Sequence, residues 1–240
     1  MISIVPVEGL PEIAEGDDLA ALVIAAAQLE DGDVVVVAQK VVSKAEGRVL
    51  RLEDIVASDR AVELAAGERD PRELEAILAE SVRTVRERPP LLIAETRHGF
   101  VCASAGVDHS NAAEGTLVLL PLDPDASASG LRDRIRELTG AVVGVVVADS
   151  FGRPFRHGTT DVAIGIAGIP ALLDLRGTSD WTGRELVSTQ VAVADQIAAA
   201  ADLARGKADG VPVVIVRGLG LQGDGAATDL VIEAERDLFR

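Results

Sequence analysis

The sequence contains few cysteine, aromatic and lysine residues. Cys102 is its single cysteine, which excludes an internal disulfide and a zinc site built from cysteines. Aromatic residues make up 2% of the 240 residues and tyrosine is absent, so the stacking surface that single-stranded nucleic acids need is missing. Lysine and arginine together number 23 against 39 acidic residues, and the net charge of −16 disfavours nucleic acid and anionic membranes as partners.

Targeting segments are also missing from the printed chain. No apolar run reaches the ~18 residues that a membrane-spanning helix needs. The start, MISIVPVEGLPE, lacks the basic region and apolar core of a secretory signal, so we expect a cytoplasmic protein. With 48% hydrophobic residues the chain is long enough to bury a sizeable core. We expect one domain over 1–240, with the Pro/Asp/Ser-rich stretch 121–130 as the candidate internal boundary.

Apolar runs rich in Val and Ile alternate with amphipathic stretches along the chain. The runs predict strands over 2–7, 34–42, 91–94, 100–105, 117–120, 142–148, 162–166, 171–175 and 213–216. The amphipathic stretches predict helices over 18–29, 71–88, 129–138, 186–205 and 228–239. A hairpin over 91–105 and a strand pair within 162–175 make the order irregular, which favours an α+β fold with a mixed α/β sheet.

Two of the three lysines of the chain follow one apolar strand. Lys40 and Lys44 lie where the segment 34–47 turns polar, next to the glycine turn at Gly47. Lysine concentrated at a strand end of an acidic protein indicates a phosphate contact. A solvated lysine pair beside Glu46 explains the same pattern, and the sequence leaves both interpretations open.

Two further segments place oxygen ligands after strands. Asp108 and Asn111 lie in the loop AGVDHSN, where they act either as ligands for magnesium or manganese or simply as turn residues. The segment VVVADSFGRPFRHG brings Asp149 and Ser150 to the carboxyl end of a buried strand, where α/β sheets usually bind ligands.

Two arginines follow Asp149 within the same segment, on a stretch expected to be a polar loop. Arg153 and Arg156 suit a metal-bridged phosphate site in which the aspartate holds the cation and guanidinium groups neutralise oxygens. We therefore assign these two arginines a catalytic, charge-neutralising role. A structural turn built on Asp–Arg ion pairs is the alternative interpretation.

Several familiar sites are excluded by their spacing. A G-x-G-x-x-G occurs at 218–223, but the following strand and acidic residue of a dinucleotide-binding unit do not fit before residue 240, which excludes NAD and FAD. The P-loop pattern is absent. His98, His109 and His157 are too dispersed for a zinc site, and Ser150 does not lie in a G-x-S-x-G elbow.

Five motifs occur in one order along the chain: P-V-x-G-L-P-E, V-V-S-K-A-E-G, A-G-V-D-x-S-N, A-D-S-F-G-R-P-F-R-x-G and A-I-G-I-A-G. In this order they resemble the coenzyme F-420-0:L-glutamate ligase family, the γ-glutamyl ligases of deazaflavin coenzyme synthesis, over residues 4–239. The resemblance implies the family's own α+β fold and a homodimer with the site partly at the subunit interface. It also implies the stand-alone ligase, without the C-terminal reductase domain found in some relatives.

The resemblance further implies a reaction. GTP and Mg²⁺ or Mn²⁺, with K⁺ as a further candidate ion, would drive amide formation between F-420-0 and L-glutamate, followed by γ-linked additions. The carboxylate would first be phosphorylated by GTP, because this makes it a better electrophile with a better leaving group. Three rival functions stay open: a ligase for another acid acceptor, a non-catalytic GTP-binding protein and a metal-dependent phosphohydrolase.

The motif match also transfers roles to residues. Metal-ligand positions fall on Asp108, Asp149 and Ser150. Nucleotide-contacting positions fall on Leu10, Pro11, Glu12, Ile13, Gln39, Lys40, Lys44, Asn111, Arg205, Gly206, Lys207, Ala208, Asp209, Gly210 and Val211. All three lysines of the chain are then expected at the nucleotide. Lys207 stands where family members carry an acidic residue that helps to hold metal.

Overall fold

The computed structural model describes residues 1–206 and 209–238 and confirms the α+β class. Its strands are β1 Ser3–Val7, β2 Val34–Ala38, β3 Val49–Arg51, β4 Ser81–Arg88, β5 Leu91–Thr96, β6 Val101–Ala103, β7 Thr116–Val118, β8 Gly144–Arg153, β9 Arg156–Ala167, β10 Leu173–Asp174, β11 Gln190–Val191 and β12 Val213–Arg217. Its α-helices are α1 Leu19–Ala26, α2 Gln39–Ala45, α3 Asp59–Ala65, α4 Pro71–Glu80, α5 Pro124–Thr139 and α6 Val193–Arg205. None of the helices in the described part of the chain combines the length and apolar character needed to cross a bilayer.

A five-stranded mixed sheet carries the main core. Its order is β1-β12-β2-β8-β9, in which β2 and β8 pair in parallel and the other neighbours are antiparallel. The segments 34–37 and 144–148 are completely buried, as expected for strands covered on both faces. Helices α5 and α6 both pack on this sheet.

A second, smaller core lies between residues 61 and 119. Helices α3 and α4 enclose it together with β5 and β7, and Leu64, Leu74 and Ile77 are its fully buried centre. The short strands β4, β5 and β6 form an antiparallel sheet beside it, so the predicted hairpin over 91–105 is confirmed. The chain therefore builds two hydrophobic clusters that both border the loop carrying Asp108.

Two predicted elements change type within their length. The strand predicted over 34–42 ends at Ala38, and α2 follows, because Gln39 and Ser43 are hydrogen-bonded one helical turn apart (2.8 Å). The helix predicted over 71–88 ends at Glu80. Residues 81–88 include the β-branched Val82, Thr84 and Val85 and pair with β5 as β4, which outweighs the local helical tendency.

The hairpin arms and helix ends also differ from prediction. The stretch 149–158, expected to be a polar loop, is instead the outer part of a long β8–β9 hairpin. Helix α5 begins five residues before the predicted 129, where Asp123 caps it, and α6 begins at Val193 and not at 186.

The helix predicted at the C-terminal end is wrong over its described part. Residues 228–238 contain only the end of a 3₁₀ turn over Ala227–Leu230. Leu230 and Val231 of this segment pack against the main core, whereas Ile232 and Leu238 are exposed, so its apolar residues do not form one buried helical face. Phe239, the last residue of that prediction, lies outside the described residues.

Candidate functional site

Polar side chains meet where two parallel strands end. Ala38 of β2 and Ala148 of β8 form the last parallel pair, so Lys40, which follows β2, and Asp149, the next residue of β8, lie at the same edge of the sheet. The carboxyl edge of parallel strands is where open α/β sheets bind their ligands. In both strands the sequence changes from apolar to polar directly after this pair, at Gln39 and at Asp149, so polar side chains gather at one edge.

Lys40 links α2 to the loop that contains Asp108. Its Nζ lies 2.7 Å from Asp108 Oδ2 and 2.5 Å from Ser110 Oγ. The Ser110 backbone N–H donates to Asp108 Oδ1 (2.8 Å), and the main chain of Asp108 pairs with Val118 in both directions. Burial opposes ionisation of Asp108, but the hydrogen bonds from Lys40 and Ser110 outweigh it and leave its pKa below the ordinary value. Asp108 is thus held as an anion.

Asp149 is in a different electrostatic environment. Burial raises its pKa to about 7, against the opposing effects of the Ser150 backbone N–H and the charge of Lys40. The neighbouring carboxylates of Asp161 and Asp108 raise the pKa of Asp149 further. Burial and the nearby charge of Asp149 also raise the pKa of the Cys102 thiol to about 12. The surroundings of Asp149 therefore carry an excess of negative charge.

The crowded carboxylates fit a divalent cation that is shared with a ligand. Asp108 and Asp149 supply hard oxygen donors, and the unfavourable negative field at Asp149 is the field that a cation relieves. Within residues 1–206 and 209–238, no cluster of three or more His, Cys, Asp or Glu side chains is arranged to hold a metal ion. Mg²⁺ typically uses one or two protein carboxylates and takes further oxygens from phosphates and water, which matches this donor set.

A cavity of about 670 Å³ adjoins Lys40. Its wall brings together eleven of the residues predicted to contact nucleotide. These are Leu10, Pro11, Glu12, Ile13, Lys40, Lys44, Asn111, Arg205, Gly206, Gly210 and Val211. Four segments distant in sequence thus converge on one cavity.

The other predicted nucleotide contacts lie elsewhere. Gln39 is fully buried and absent from the cavity wall, although its position precedes Lys40 directly. Asp209 is also absent from the wall, and its carboxylate lies so close to Gly206 that a Cβ at that position would clash. Lys207 and Ala208 lie outside the described residues.

Each of the described cations at the cavity is paired with a carboxylate. Lys44 Nζ lies 2.5 Å from Glu12 Oε1; the lysine side chain is 13% exposed and the glutamate side chain 83%. Arg205 Nη1 lies 3.1 Å from Asp161 Oδ2, and both of these side chains are buried. The basic side chains of the cavity wall therefore pair with carboxylates of very different solvent exposure, from the exposed Glu12 to the buried Asp161.

Arg153 and Arg156 lie apart from this cavity, at the tip of the β8–β9 hairpin. Both are exposed, and Arg153 Nη2 donates to the carbonyl of His157 (3.1 Å). Four residues of extended strand separate Arg153 from Asp149, a distance of about 13 Å. Neither arginine lines the cavity, so their catalytic role remains a prediction.

Two polar residues of the site were not predicted from sequence. Ser110 bridges Lys40 and Asp108, and its place in the predicted Asp108 loop was the available signal. Asp161 accepts a hydrogen bond from Ser150 Oγ (2.5 Å) and lies opposite it in the β8–β9 pair. An aspartate at the start of an apolar run, as in TTDVAIGI, was the signal for Asp161.

The fold and the site together define an α+β protein with a cavity lined by Lys40, Lys44 and Arg205, next to the carboxylates Asp108 and Asp149. The chain belongs to the F420-0:Gamma-glutamyl ligase family, whose sequence profile matches residues 9–218. The resemblance inferred from the five motifs is thereby confirmed.

Curated relatives agree over the full length of the chain. A protein of Archaeoglobus fulgidus named "Coenzyme F420:L-glutamate ligase" is 49% identical over 241 residues, covering 100% of this chain and 96% of the relative. Proteins of the same name from Methanopyrus kandleri and Methanothermobacter thermautotrophicus are 48% and 45% identical. Both alignments cover 100% of this chain, with 98% and 99% of the respective relatives.

Proposed function

We propose that this protein is a GTP-dependent ligase that attaches L-glutamate to coenzyme F-420-0 and then extends it through γ-linkages. The observation that carries the proposal is the cavity that gathers Lys40, Lys44 and Arg205 beside the carboxylates Asp108 and Asp149. The shared name of the full-length relatives supports the acceptor and the amino acid.

The cavity suits a nucleoside triphosphate in size and charge. Its volume of about 670 Å³ lies in the range of small-molecule sites, and its apolar wall includes Leu10, Ile13 and Val211. A chain of net charge −16 repels a triphosphate at long range, so binding requires local cations. Lys40 and Lys44 of α2 and Arg205 at the end of α6 supply them from two segments distant in sequence.

The proposal includes a divalent cation, Mg²⁺ or Mn²⁺, held by Asp108, Asp149 and Ser150, with K⁺ as an additional ion. When bound, such a cation would supply positive charge that neutralises the developing charge on the transferred phosphoryl group. Asp108 is already anionic, because Lys40 and Ser110 lower its pKa, and so is ready to act as a ligand. A cation bound there would lower the pKa of Asp149, and the displaced proton would pass to solvent.

The chemistry proposed has two displacements. A carboxylate oxygen of the acceptor attacks the γ-phosphorus of GTP, the bond to the β-phosphate oxygen breaks, and GDP leaves. The uncharged amine of glutamate then attacks the acyl carbon, the bond from carbon to the phosphate oxygen breaks, and inorganic phosphate leaves with the electron pair. The nitrogen releases one proton to solvent. The protein's part is to position the reactants and to neutralise charge.

A homodimer is a further part of the proposal. The hairpin tip exposes Phe155 (89% exposed), and the segment joining β10 to β11 exposes Trp181 (97%). Large exposed aromatic side chains are typical of interfaces. In such a dimer, Arg153 and Arg156 at the same tip would reach the partner's substrate, which would reconcile their predicted role with their distance from the cavity. Sedimentation equilibrium of the purified chain tests this.

Mass spectrometry after incubation with GTP, Mg²⁺, L-glutamate and F-420-0 tests the proposed reaction. We expect the acceptor to gain the mass of one glutamate residue for each GDP and phosphate released. Release of phosphate without glutamate would indicate a phosphohydrolase, and binding of GTP without any turnover would indicate a non-catalytic protein. Turnover that requires glutamate but leaves F-420-0 unchanged would indicate another acid acceptor.

A further inference from the structure

Asp161 is a buried carboxylate that belongs to none of the predicted site positions. It lies in β9 opposite Ser150 of β8, and its side chain is shielded completely from solvent. Its Oδ1 accepts a hydrogen bond from Ser150 Oγ (2.5 Å), and its Oδ2 lies 3.1 Å from Arg205 Nη1. One carboxylate thus connects a candidate metal ligand to a wall of the nucleotide cavity.

Stability alone is a poor explanation for this ion pair. Removing two charges from water costs about as much as their attraction returns, so buried pairs are weak stabilising elements. Asp161 also increases the negative field on Asp149, which is a further electrostatic cost. An arrangement with this cost is more readily explained by the position it imposes on its partners.

Arg205, the partner of Asp161, has more hydrogen-bond donors than this ion pair engages. It lies in the last turn of α6, is nine-tenths buried and forms part of the cavity wall. Its Nε and Nη2 have no hydrogen-bond partner among residues 1–206 and 209–238. Buried donors without an acceptor are costly, and a guanidinium fixed at a cavity wall with spare donors suits an anionic oxygen.

We propose that Asp161 is a positioning residue, which holds Arg205 at the cavity wall for the phosphates of the nucleotide and fixes the orientation of the Ser150 hydroxyl. This inference rests on the proposed binding of GTP. Asp161 acts through Arg205 and does not itself touch the nucleotide. The ion pair with its carboxylate fixes where the guanidinium lies, and the rigid fork of the guanidinium then sets the directions of its N–H groups.

Asp161→Asn is the direct test, and Asp195→Asn is its matched control. Asp195 also joins α6 to β9, since its Oδ1 accepts from the Ala163 backbone N–H (2.9 Å), but it does not line the cavity. Binding of GTP to the full chain is measured by calorimetry in EDTA, which separates the arginine from any metal contribution, together with thermal unfolding. A merely structural role predicts similar losses of thermal stability and unchanged affinity for both variants.

We expect Asp161→Asn to weaken GTP binding in EDTA about thirtyfold, the loss typical of removing one partner of a buried charged pair. Asp195→Asn should bind GTP within about twofold of the unaltered protein. The hydrogen bond that it weakens, to the Ala163 backbone, lies away from the cavity wall, so the cavity should stay intact. Wild-type affinity in a folded Asp161→Asn protein would overturn the inference while leaving the proposed function in place. Failure of the unaltered protein to bind GTP would instead overturn the proposed function.

A double variant covers the case in which Asp161→Asn does not fold. Asp161→Asn combined with Arg205→Met removes both charges together, so no buried charge is left unpaired. We expect this protein to fold and to bind GTP as weakly as predicted above. Wild-type affinity in the double variant would equally overturn the inference.

Discussion

The variant Lys44→Met distinguishes two hypotheses for this lysine. Either Lys44 binds the nucleotide, as we propose, or it only forms an ion pair with Glu12. Lys44 is largely buried in the cavity wall, whereas its partner Glu12 is 83% exposed. A ligand phosphate can therefore take over the lysine while Glu12 returns to water. The exchange loses little, because an ion pair with such an exposed partner contributes only about 0–1 kcal/mol.

The expected loss of GTP affinity in Lys44→Met can be estimated from the hydrogen bond between Lys44 and phosphate, which would replace the pair with Glu12. A hydrogen bond from an ammonium group to a phosphate contributes about 1.5–3 kcal/mol. Subtracting the weak pair leaves about 2 kcal/mol, or about thirtyfold in Kd for GTP. Glu12→Gln removes the competitor of the phosphate and should tighten GTP binding by up to about fivefold.

Isothermal titration of GTP into the purified variants measures both effects. Arg83→Met is the matched control, because it also removes one positive charge, that of the exposed Arg83 on β4, which pairs with Glu95 on β5. This control should leave the Kd within about twofold, since Arg83 does not line the cavity and its exposed charge is screened by salt. If Lys44→Met binds GTP as the control does, Lys44 serves only its ion pair with Glu12 and the cavity does not bind the triphosphate there.

Three other changes test the charges of the site and the core. Asp149→Asn should abolish the tightening of GTP binding by Mg²⁺ in a titration, and a variant with undiminished Mg²⁺ dependence would contradict the proposed metal position. The Cys102 thiol, with its pKa raised from 9.0 to about 12, should react with a thiol reagent at pH 8 about a thousandfold more slowly than in denaturant. Because its pKa is higher in the folded protein than in the unfolded one, this group stabilises the fold below pH 9, and up to about 4 kcal/mol is lost as pH rises to 12. Asp33→Ala should lower the free energy of unfolding in urea by about 1–3 kcal/mol, because it removes a fully buried carboxylate bonded to Arg217 at 2.7 and 2.8 Å, while the partly exposed Arg217 keeps Glu30 (2.7 Å).

The sequence predicts well which polar residues follow apolar runs. It does not predict which strands pair, and therefore which of these residues come close together. Lys40 and Asp149 each follow an apolar run, and that pattern is local. Their proximity depends on the parallel pairing of β2 with β8, which joins segments more than 100 residues apart. Asp161 was missed for the same reason, because its partner Arg205 is 44 positions away and leaves no local signal.

Local preference and tertiary burial also compete in the elements that were wrongly predicted. Residues 81–88 have charges compatible with a helix, but pairing with β5 supplies backbone hydrogen bonds and a partner surface. Residues 228–238 have a helical spacing of apolar residues, but only Leu230 and Val231 pack against the core, while Ile232 and Leu238 stay exposed. In both cases the deciding energy comes from contacts outside the window that a sequence pattern samples.

The pairing of each cavity cation with a carboxylate explains how an acidic protein can hold a site for a polyanion. Three positive groups close together would repel one another if they were unpaired, and their counterions remove that cost before the ligand arrives. The pairs then differ in what ligand binding requires of them. Lys44 can leave the exposed Glu12, whereas Arg205 keeps Asp161 and offers the donors that remain. Lys40 is intermediate, because Asp108 is half-exposed and is itself a candidate cation ligand. Binding of a metal–nucleotide complex would therefore replace the Lys40–Asp108 pair by two new ones, lysine with phosphate and aspartate with metal, so that charge remains balanced throughout the exchange.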